Sequence, residues 1–151
     1  LEITLQTVMA GLAACEARIS GLSTGRCFDV APNAVEISLP VVINVAQKGE
    51  VERGVGEGLR RTKHTILAQL LAAEPGTDLP TAETLARPYV SSFITTLDVN
   101  RSLNGSVMDS EVIGYEYGEI KLQRDNPGYL GVVFTVEATE EETGVLFSSS
   151  S

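Results

Sequence analysis

Residues 129–139 have the sequence Tyr-Leu-Gly-Val-Val-Phe-Thr-Val-Glu-Ala-Thr. Apolar side chains occupy every second position, at Leu130, Val132, Phe134, Val136 and Ala138. This period of two is typical of a β-strand with one buried face. Residues 107–123 are rich in Val, Ile, Tyr and Glu, and residues 124–128, Arg-Asp-Asn-Pro-Gly, favour a turn. The sequence therefore predicts a long β-hairpin over residues 106–139.

Composition indicates one domain of ordinary apolar content. The chain has 151 residues and a formal net charge of −9. We expect residues 1–139 to form a single domain and residues 140–151, acidic and then serine-rich, to form a disordered tail. The acidic charge suits solubility and argues against general nucleic-acid binding. No apolar run approaches the roughly 20 residues of a membrane helix, and the N-terminus lacks the pattern of a signal peptide, so neither is expected.

The two cysteines, Cys15 and Cys27, have neither CxxC spacing nor metal-binding neighbours. We expect a buried, reduced thiol at each, although a disulfide between them stays open at this point.

The first third of the chain alternates between helical and strand patterns. Apolar residues recur at three- and four-residue steps through residues 4–19, which predicts a helix. Residues 26–31 are expected to form a short strand. Strict alternation over residues 35–45 predicts a second strand. Because Pro40 has no N–H, this strand should be an edge or carry a bulge there.

A polar stretch with four glycines, residues 47–58, is predicted to be a surface loop. It lacks both the Gly-Lys-Ser/Thr end of a P-loop and the GxGxxG fingerprint of a dinucleotide site, so no nucleotide binding is predicted. Residues 59–74 leave two alternatives. Their helix propensity is strong, but a hairpin with residues 35–45 around the loop makes topological sense, and we favour the strand.

The segment after residue 74 predicts a turn and then a second helix. Residues 74–78 have turn composition, and residues 81–97 carry a helical apolar stripe. Pro88 interrupts the stripe, so we expect a break or kink near Arg87, with residues 88–97 as the stronger half.

One basic cluster stands out, formed by Arg60, Arg61, Lys63 and His64. It suits either a solvated surface or a contact with an acidic partner. His64 is the only histidine, and no ligand set surrounds it in the sequence, so a metal role is not expected. No nucleophile, paired carboxylates or metal-ligand pattern is evident, so we predict a protein that is not an enzyme and has no cofactor, no catalytic residue and no metal site.

The order of elements resembles one phage family. After the second helix comes Leu103-Asn104-Gly105, and the closing strand begins with Tyr129-Leu130-Gly131-Val132-Val133-Phe134. This order resembles the tail terminator (tail completion) proteins of long-tailed bacteriophages, in which a Leu-x-Gly turn and a Tyr-x-Gly-x-x-Phe-like strand recur. Asn104 stands where that family often has glycine. The resemblance covers the chain from the first helix to about Ala138.

The resemblance implies an α+β fold, with an antiparallel β-sheet of long hairpins flanked by two α-helices. It implies a ring, usually a hexamer, that caps the head-proximal end of the tail tube and stops its polymerisation. The expected partners are other copies of the chain, the tail-tube protein and the head–tail connector protein, and DNA would pass through the lumen without specific binding. The expected location is the neck of the virion, assembled in the host cytoplasm. On this hypothesis Arg53, Arg60 and Arg61 contact acidic neighbours.

Other classes of function stay open. A head–tail adaptor or stopper, or a tail-tube subunit, would share the structural role. A small monomeric binding module would carry a ligand pocket instead, and an enzyme would lose activity when His64 or one carboxylate is replaced.

Overall fold

The computed structural model of the chain describes residues 5–22, 25–30, 32, 38–53, 59–123 and 127–143. Two helices and five strands follow one another along the chain: α1 (Leu5–Glu16), β1 (Cys27–Phe28), β2 (Val41–Arg53), β3 (Leu59–Ala73), α2 (Leu79–Asp98), β4 (Asp109–Ile120) and β5 (Tyr129–Thr143). The strands form one sheet in the order β1-β2-β3-β5-β4. All neighbours are antiparallel except β1 and β2, which are parallel. The predicted α+β fold with two flanking helices is confirmed, with a mixed sheet in place of a fully antiparallel one.

The predicted hairpin is confirmed as β4 and β5. Their register joins Asp109 to Thr139 and Ile120 to Tyr129, with one irregularity between Val112 and Gly114. Residues 124–126 of the predicted turn lie outside the described residues. The tail prediction is wrong for residues 140–143, which continue β5 and pair with residues 59–62 of β3. Arg61 and His64 of β3 contact Glu141 and Glu140 of this extension. Residues 144–151 lie outside the described part.

The second hairpin is longer than predicted. Of the two alternatives for residues 59–74, the strand is confirmed, because residues 59–73 form β3. The loop prediction is wrong for residues 47–53, because β2 continues through them and pairs with β3 after a bulge between Ala46 and Lys48. Residues 54–58 lie outside the described residues. A bulge accommodates one extra residue and bends the strand without ending the ladder.

The beginning of β2 also differs from the prediction. The strand starts at Val41, and residues 33–37 of the predicted strand lie outside the described part. Pro40 immediately precedes β2 and therefore interrupts no hydrogen bond of the ladder. The short strand predicted over residues 26–31 is present as β1.

The predicted break in the second helix is wrong. Helix α2 runs without interruption through Pro88. The proline lies on the exposed side of the helix, where a carbonyl left without its usual N–H partner can face solvent. The opposite side buries Ala82, Ala86, Val90, Phe93 and Leu97 against the rest of the protein, and this burial favours a continuous helix across the site.

Both helices pack on one face of the sheet. Phe93 of α2 stacks on Phe134 of β5, with ring centroids 4.0 Å apart and planes inclined by 12°. Val8, Leu12 and Cys15 of α1 are fully buried in the same core. A smaller cluster on the other face contains Val41, Ile43, Leu71 and Ile120. Cys15 is buried, Cys27 is partly buried, and both are free thiols, as expected.

Candidate functional site

The central strands share a highly charged end, which we call the charged arm: residues 48–53 of β2, 60–65 of β3 and 137–142 of β5. These 18 positions carry five of the chain's 11 Lys and Arg residues and six of its 20 Asp and Glu residues. The arm is therefore nearly neutral, while the rest of the chain is strongly acidic. Every residue of β2 from Ala46 to Arg53 is exposed, so much of this charge faces solvent.

One row of the arm places a cation between two acids. The register aligns Arg61 of β3 with Glu52 of β2 and with Glu141 of β5. The Arg61 guanidinium donates from Nη2 and Nε to one oxygen of Glu141, at 2.7 and 3.2 Å. The hydrogen bond with Glu141 is the main cause that raises the pKa of Arg61. Both side chains are about one-third exposed, so this pair lies at the surface of the arm.

The other two predicted contact residues lie in the next row. Arg53 is the last residue of β2 and is exposed, and the register aligns it with Arg60 of β3. Arg60 is half-buried and aligned with Glu142 of β5 on its other side. The structure thus brings Arg53, Arg60 and Arg61 together at one end of the sheet, which the sequence alone did not establish.

His64 is held by a carboxylate inside the arm. Its Nε2 lies 3.2 Å from Oε1 of Glu140, and the two side chains are only 12% and 8% exposed. A hydrogen bond between the ring and this carboxylate fixes the orientation of the imidazole. Within the described ranges, no group of three or more His, Cys, Asp or Glu side chains could hold a metal ion. His64 therefore has a structural partner on the neighbouring strand.

The sheet has an unpaired edge on each side. Strand β1 pairs only with Val42 and Ile43, so among the described residues nothing continues the ladder along β2 beyond that point. On the opposite side, β4 pairs with β5 alone over the part of the chain that the structure describes. Ile113, Tyr115 and Tyr117 of β4 are 43–51% exposed. Unpaired edges offer backbone donors and acceptors to another chain.

A groove lies between the start of α2 and the β4–β5 pair, at the opposite end of β5 from the charged arm. Its volume is about 640 Å³, and residues lining it include Leu79 and Pro80 of α2, Tyr117 of β4 and Leu130 of β5. Leu79 is 73% exposed. The groove is thus an accessible, mainly apolar surface.

A buried acid–amide pair joins α1 to β2. Glu16 is fully buried, and its Oε1 accepts a hydrogen bond of 2.6 Å from Nδ2 of Asn44. Burial raises the pKa of Glu16 to about 8, and the Asn44 hydrogen bond opposes that rise. Glu16 Oε2 and Asn44 Oδ1 are buried without a partner among the described residues. When the Glu16 carboxyl is protonated, its hydroxyl can donate a hydrogen bond to Asn44 Oδ1, which would give both of these oxygens a partner.

The same pair influences a neighbouring thiol. Burial and then the charge of Glu16 raise the pKa of Cys27 to about 12. This thiol is therefore protonated at neutral pH and unreactive as a nucleophile.

The Leu-x-Gly turn has an unusual backbone. Leu103, Asn104 and Gly105 all have positive φ, at 48°, 60° and 83°. Asparagine tolerates this region better than most residues, so Asn104 suits its position in the turn. Arg18, which follows α1, holds the turn by donating to Asn104 Oδ1 at 2.5 Å and to Asn100 Oδ1. The turn therefore anchors α1 to the end of α2.

No protein-family model matches this sequence, and no curated protein matches it. No helix of the described residues is long and apolar enough to cross a membrane.

Sequence reasoning missed the buried pair and the groove. Glu16 follows the apolar stripe of α1, and Asn44 interrupts an apolar strand. A polar residue next to side chains that are expected to be buried was the signal that could have predicted this pair. The groove had no local signal, since its walls are distant in sequence and meet only when α2 packs on the sheet.

Proposed function

We propose that this chain is a structural subunit of a phage tail, a tail terminator that forms a ring on the head-proximal end of the tail tube. The ring would stop tube polymerisation and present a surface to the head–tail connector protein. This places the chain in the neck of the virion, after assembly in the host cytoplasm. No catalytic step, cofactor or metal is part of the proposal.

The observation that carries this proposal is that, over the described residues, the sheet has an edge without a strand partner on each of its two sides. A head-to-tail contact between identical subunits joins two different surfaces, and repeated rotation closes such contacts into a ring. Here β2 provides one surface together with the charged arm, and β4 provides the other with its exposed tyrosines. A chain with one usable edge would instead favour a closed dimer.

The charge distribution supports the same proposal. The arm carries Arg53, Arg60 and Arg61, while the remainder of the chain outside the arm has six Lys and Arg residues against 14 Asp and Glu residues. A cationic group of one subunit can therefore meet an acidic surface of the next subunit or of the tube protein. An acidic lumen would let DNA slide past without being held.

Electron microscopy of the purified chain tests the proposal. We expect negative-stain class averages with a central channel and a small fixed number of subunits, six on the phage hypothesis. Long tubes of the chain alone would identify a tail-tube subunit instead. Particles of a single subunit at all concentrations, with no binding to tail tubes, would contradict the proposal.

Two charge variants test the role of the arm. The double variant Arg60→Glu/Arg61→Glu should abolish assembly, because it replaces two cations of the proposed contact. The exchange Arg61→Glu/Glu141→Arg is the matched control for folding, since it keeps an opposite-charge pair within the arm. If the exchange variant folds but does not assemble, a cation is needed at position 61 itself, and if it assembles, the pair with Glu141 is what matters. Normal assembly of the double variant would exclude these arginines from the contact.

A further inference from the structure

We propose that the apolar groove between α2 and the β4–β5 pair receives residues 145–147, Val-Leu-Phe, of a second copy of this chain. This inference rests on the proposed self-association and names one of its contacts. It assigns the groove an occupant from a neighbouring subunit.

The groove has the shape and chemistry for an extended apolar segment. Its volume of about 640 Å³ falls within the range of about 300–1,000 Å³ that is typical of binding pockets. Leu79, Tyr117 and Leu130 line it from three different elements. Gly118 of β4 also lines it, and a Cβ added there would meet nothing within 4 Å. The adjoining edge of β4 can supply backbone hydrogen bonds to a chain laid beside it.

The charges at the rim favour an uncharged occupant. Glu83 and Glu119 line the groove, and each is matched by a cation: Arg87 Nη2 lies 3.1 Å from Glu83, and Lys121 Nζ lies 3.9 Å from Glu119. Because the two acids and the two cations balance, an uncharged apolar segment incurs no net repulsion. The stretch 143–151 contains no charged residue, and its three large apolar residues are consecutive.

The length of β5 requires the occupant to come from another molecule. Leu130, in the groove wall, and Thr143, the end of β5, are 13 residues apart on one strand, which corresponds to about 43 Å. Phe147 is only four residues beyond Thr143, so it can move at most about 14 Å from that end. The segment therefore cannot reach the groove of its own chain, and the groove of a neighbouring subunit is the one that can receive it.

Intermolecular cross-linking of the full chain tests this contact. One sample mixes a Leu79→Cys variant with an affinity-tagged Phe147→Cys variant under mild oxidation by copper phenanthroline, and the tagged heterodimer is quantified on non-reducing gels. The control replaces Leu79→Cys by Val99→Cys, because Val99 is 75% exposed and Leu79 is 73% exposed. We expect at least a tenfold higher yield with Leu79→Cys. Equal yields, or no heterodimer in either sample, would overturn the inference.

A charge placed in the segment gives an independent test. Phe147→Asp should raise the concentration at which half of the chain is assembled by tenfold or more, while Ser149→Asp, which adds the same charge two residues later, should leave it unchanged. Equal effects of the two substitutions would overturn the inference.

The mass of each mixture separates this inference from the proposed function. Rings without the selective cross-link would exclude the groove contact and leave the ring proposal intact. A selective cross-link without rings would retain the contact and exclude the ring. Monomers without a cross-link would overturn both.

Discussion

Replacing Glu16 by glutamine should remove most of the pH dependence of stability between pH 4.5 and pH 8. Glu16 is fully buried beside Asn44, and its pKa is raised from 4.5 to about 8. Glutamine has the shape of the protonated acid. Its amide can donate to Asn44 Oδ1 and its carbonyl can accept from Asn44 Nδ2, so the buried pair is preserved without a titrating group.

The sign follows from the two pKa values. Above pH 4.5 the unfolded chain releases the proton of Glu16 while the folded chain keeps it, so the contribution of Glu16 to the free energy of unfolding falls as pH rises and levels off above about pH 8. The raised pKa values of Cys15 and Cys27 act in the same direction, but only near pH 9 and above. At 1.36 kcal/mol per pKa unit, the interval from 4.5 to about 8 corresponds to a loss of roughly 5 kcal/mol. Asp78 and Asp109 have lowered pKa values, so their stabilising effect is lost only at more acidic pH.

Urea unfolding from pH 4.5 to pH 9, at one fixed protein concentration, measures this effect. The wild-type chain should lose stability as pH rises, while Glu16→Gln should be nearly flat and should be several kcal/mol more stable than wild type at pH 8. The control is Glu74→Gln, which replaces an exposed carboxyl in the turn before α2 and should keep the wild-type slope.

An equal slope in the wild-type chain and Glu16→Gln would refute the reasoning. It would mean that Glu16 is ionised in the folded state, and the two oxygens at the buried pair would then need another partner. A variant that fails to fold at pH 4.5, where the wild-type chain carries the proton, would refute the acid–amide geometry itself.

Two glycines, Gly11 and Gly131, lie so close to backbone atoms of neighbouring segments that a larger side chain should destabilise the fold. Gly11→Ala should lower the melting temperature by several degrees in spite of the better helix propensity of alanine, because the added Cβ would lie 2.5 Å from the carbonyl oxygen of Leu103. Gly131→Ala should destabilise more, by about 3 kcal/mol or beyond the limit of folding, since its Cβ would overlap the carbonyl oxygen of Leu70. Gly118→Ala, in the position paired with Gly131, has open space and should change unfolding by less than about 0.5 kcal/mol in the same urea assay. A smaller loss of stability for Gly131→Ala than for Gly118→Ala would contradict the close pairing of β5 with β3 at Gly131.

Much of the fold followed from local patterns. The alternation in β5 predicted both the strand and its buried face, since Val132, Phe134, Val136 and Ala138 are fully buried. The errors came where a neighbour overrides local composition. Residues 47–53 have the composition of a loop, but they pair with β3. Pro88 usually breaks a helix, but here it lies on the exposed side of α2, and the buried apolar stripe on the opposite side stabilises that helix.

The candidate site was less predictable for a related reason. The basic cluster was visible in the sequence, but its acidic partners are 76 to 80 residues away, and the structure alone pairs Arg61 with Glu141 and His64 with Glu140. The tail prediction failed at those same glutamates. A run of acids is expected to be disordered when its partners are unknown, and it becomes a strand when cations lie opposite.

The solution mass of the purified chain tests the central claim most directly. Light scattering at a series of concentrations should give a small, fixed multiple of 16.1 kDa that dissociates in high salt, because charged groups contribute to the contact. Monomers that form rings only on the ends of added tail tubes would also agree with the account. A mass of 16.1 kDa at every concentration, together with no binding to tail tubes, would contradict it.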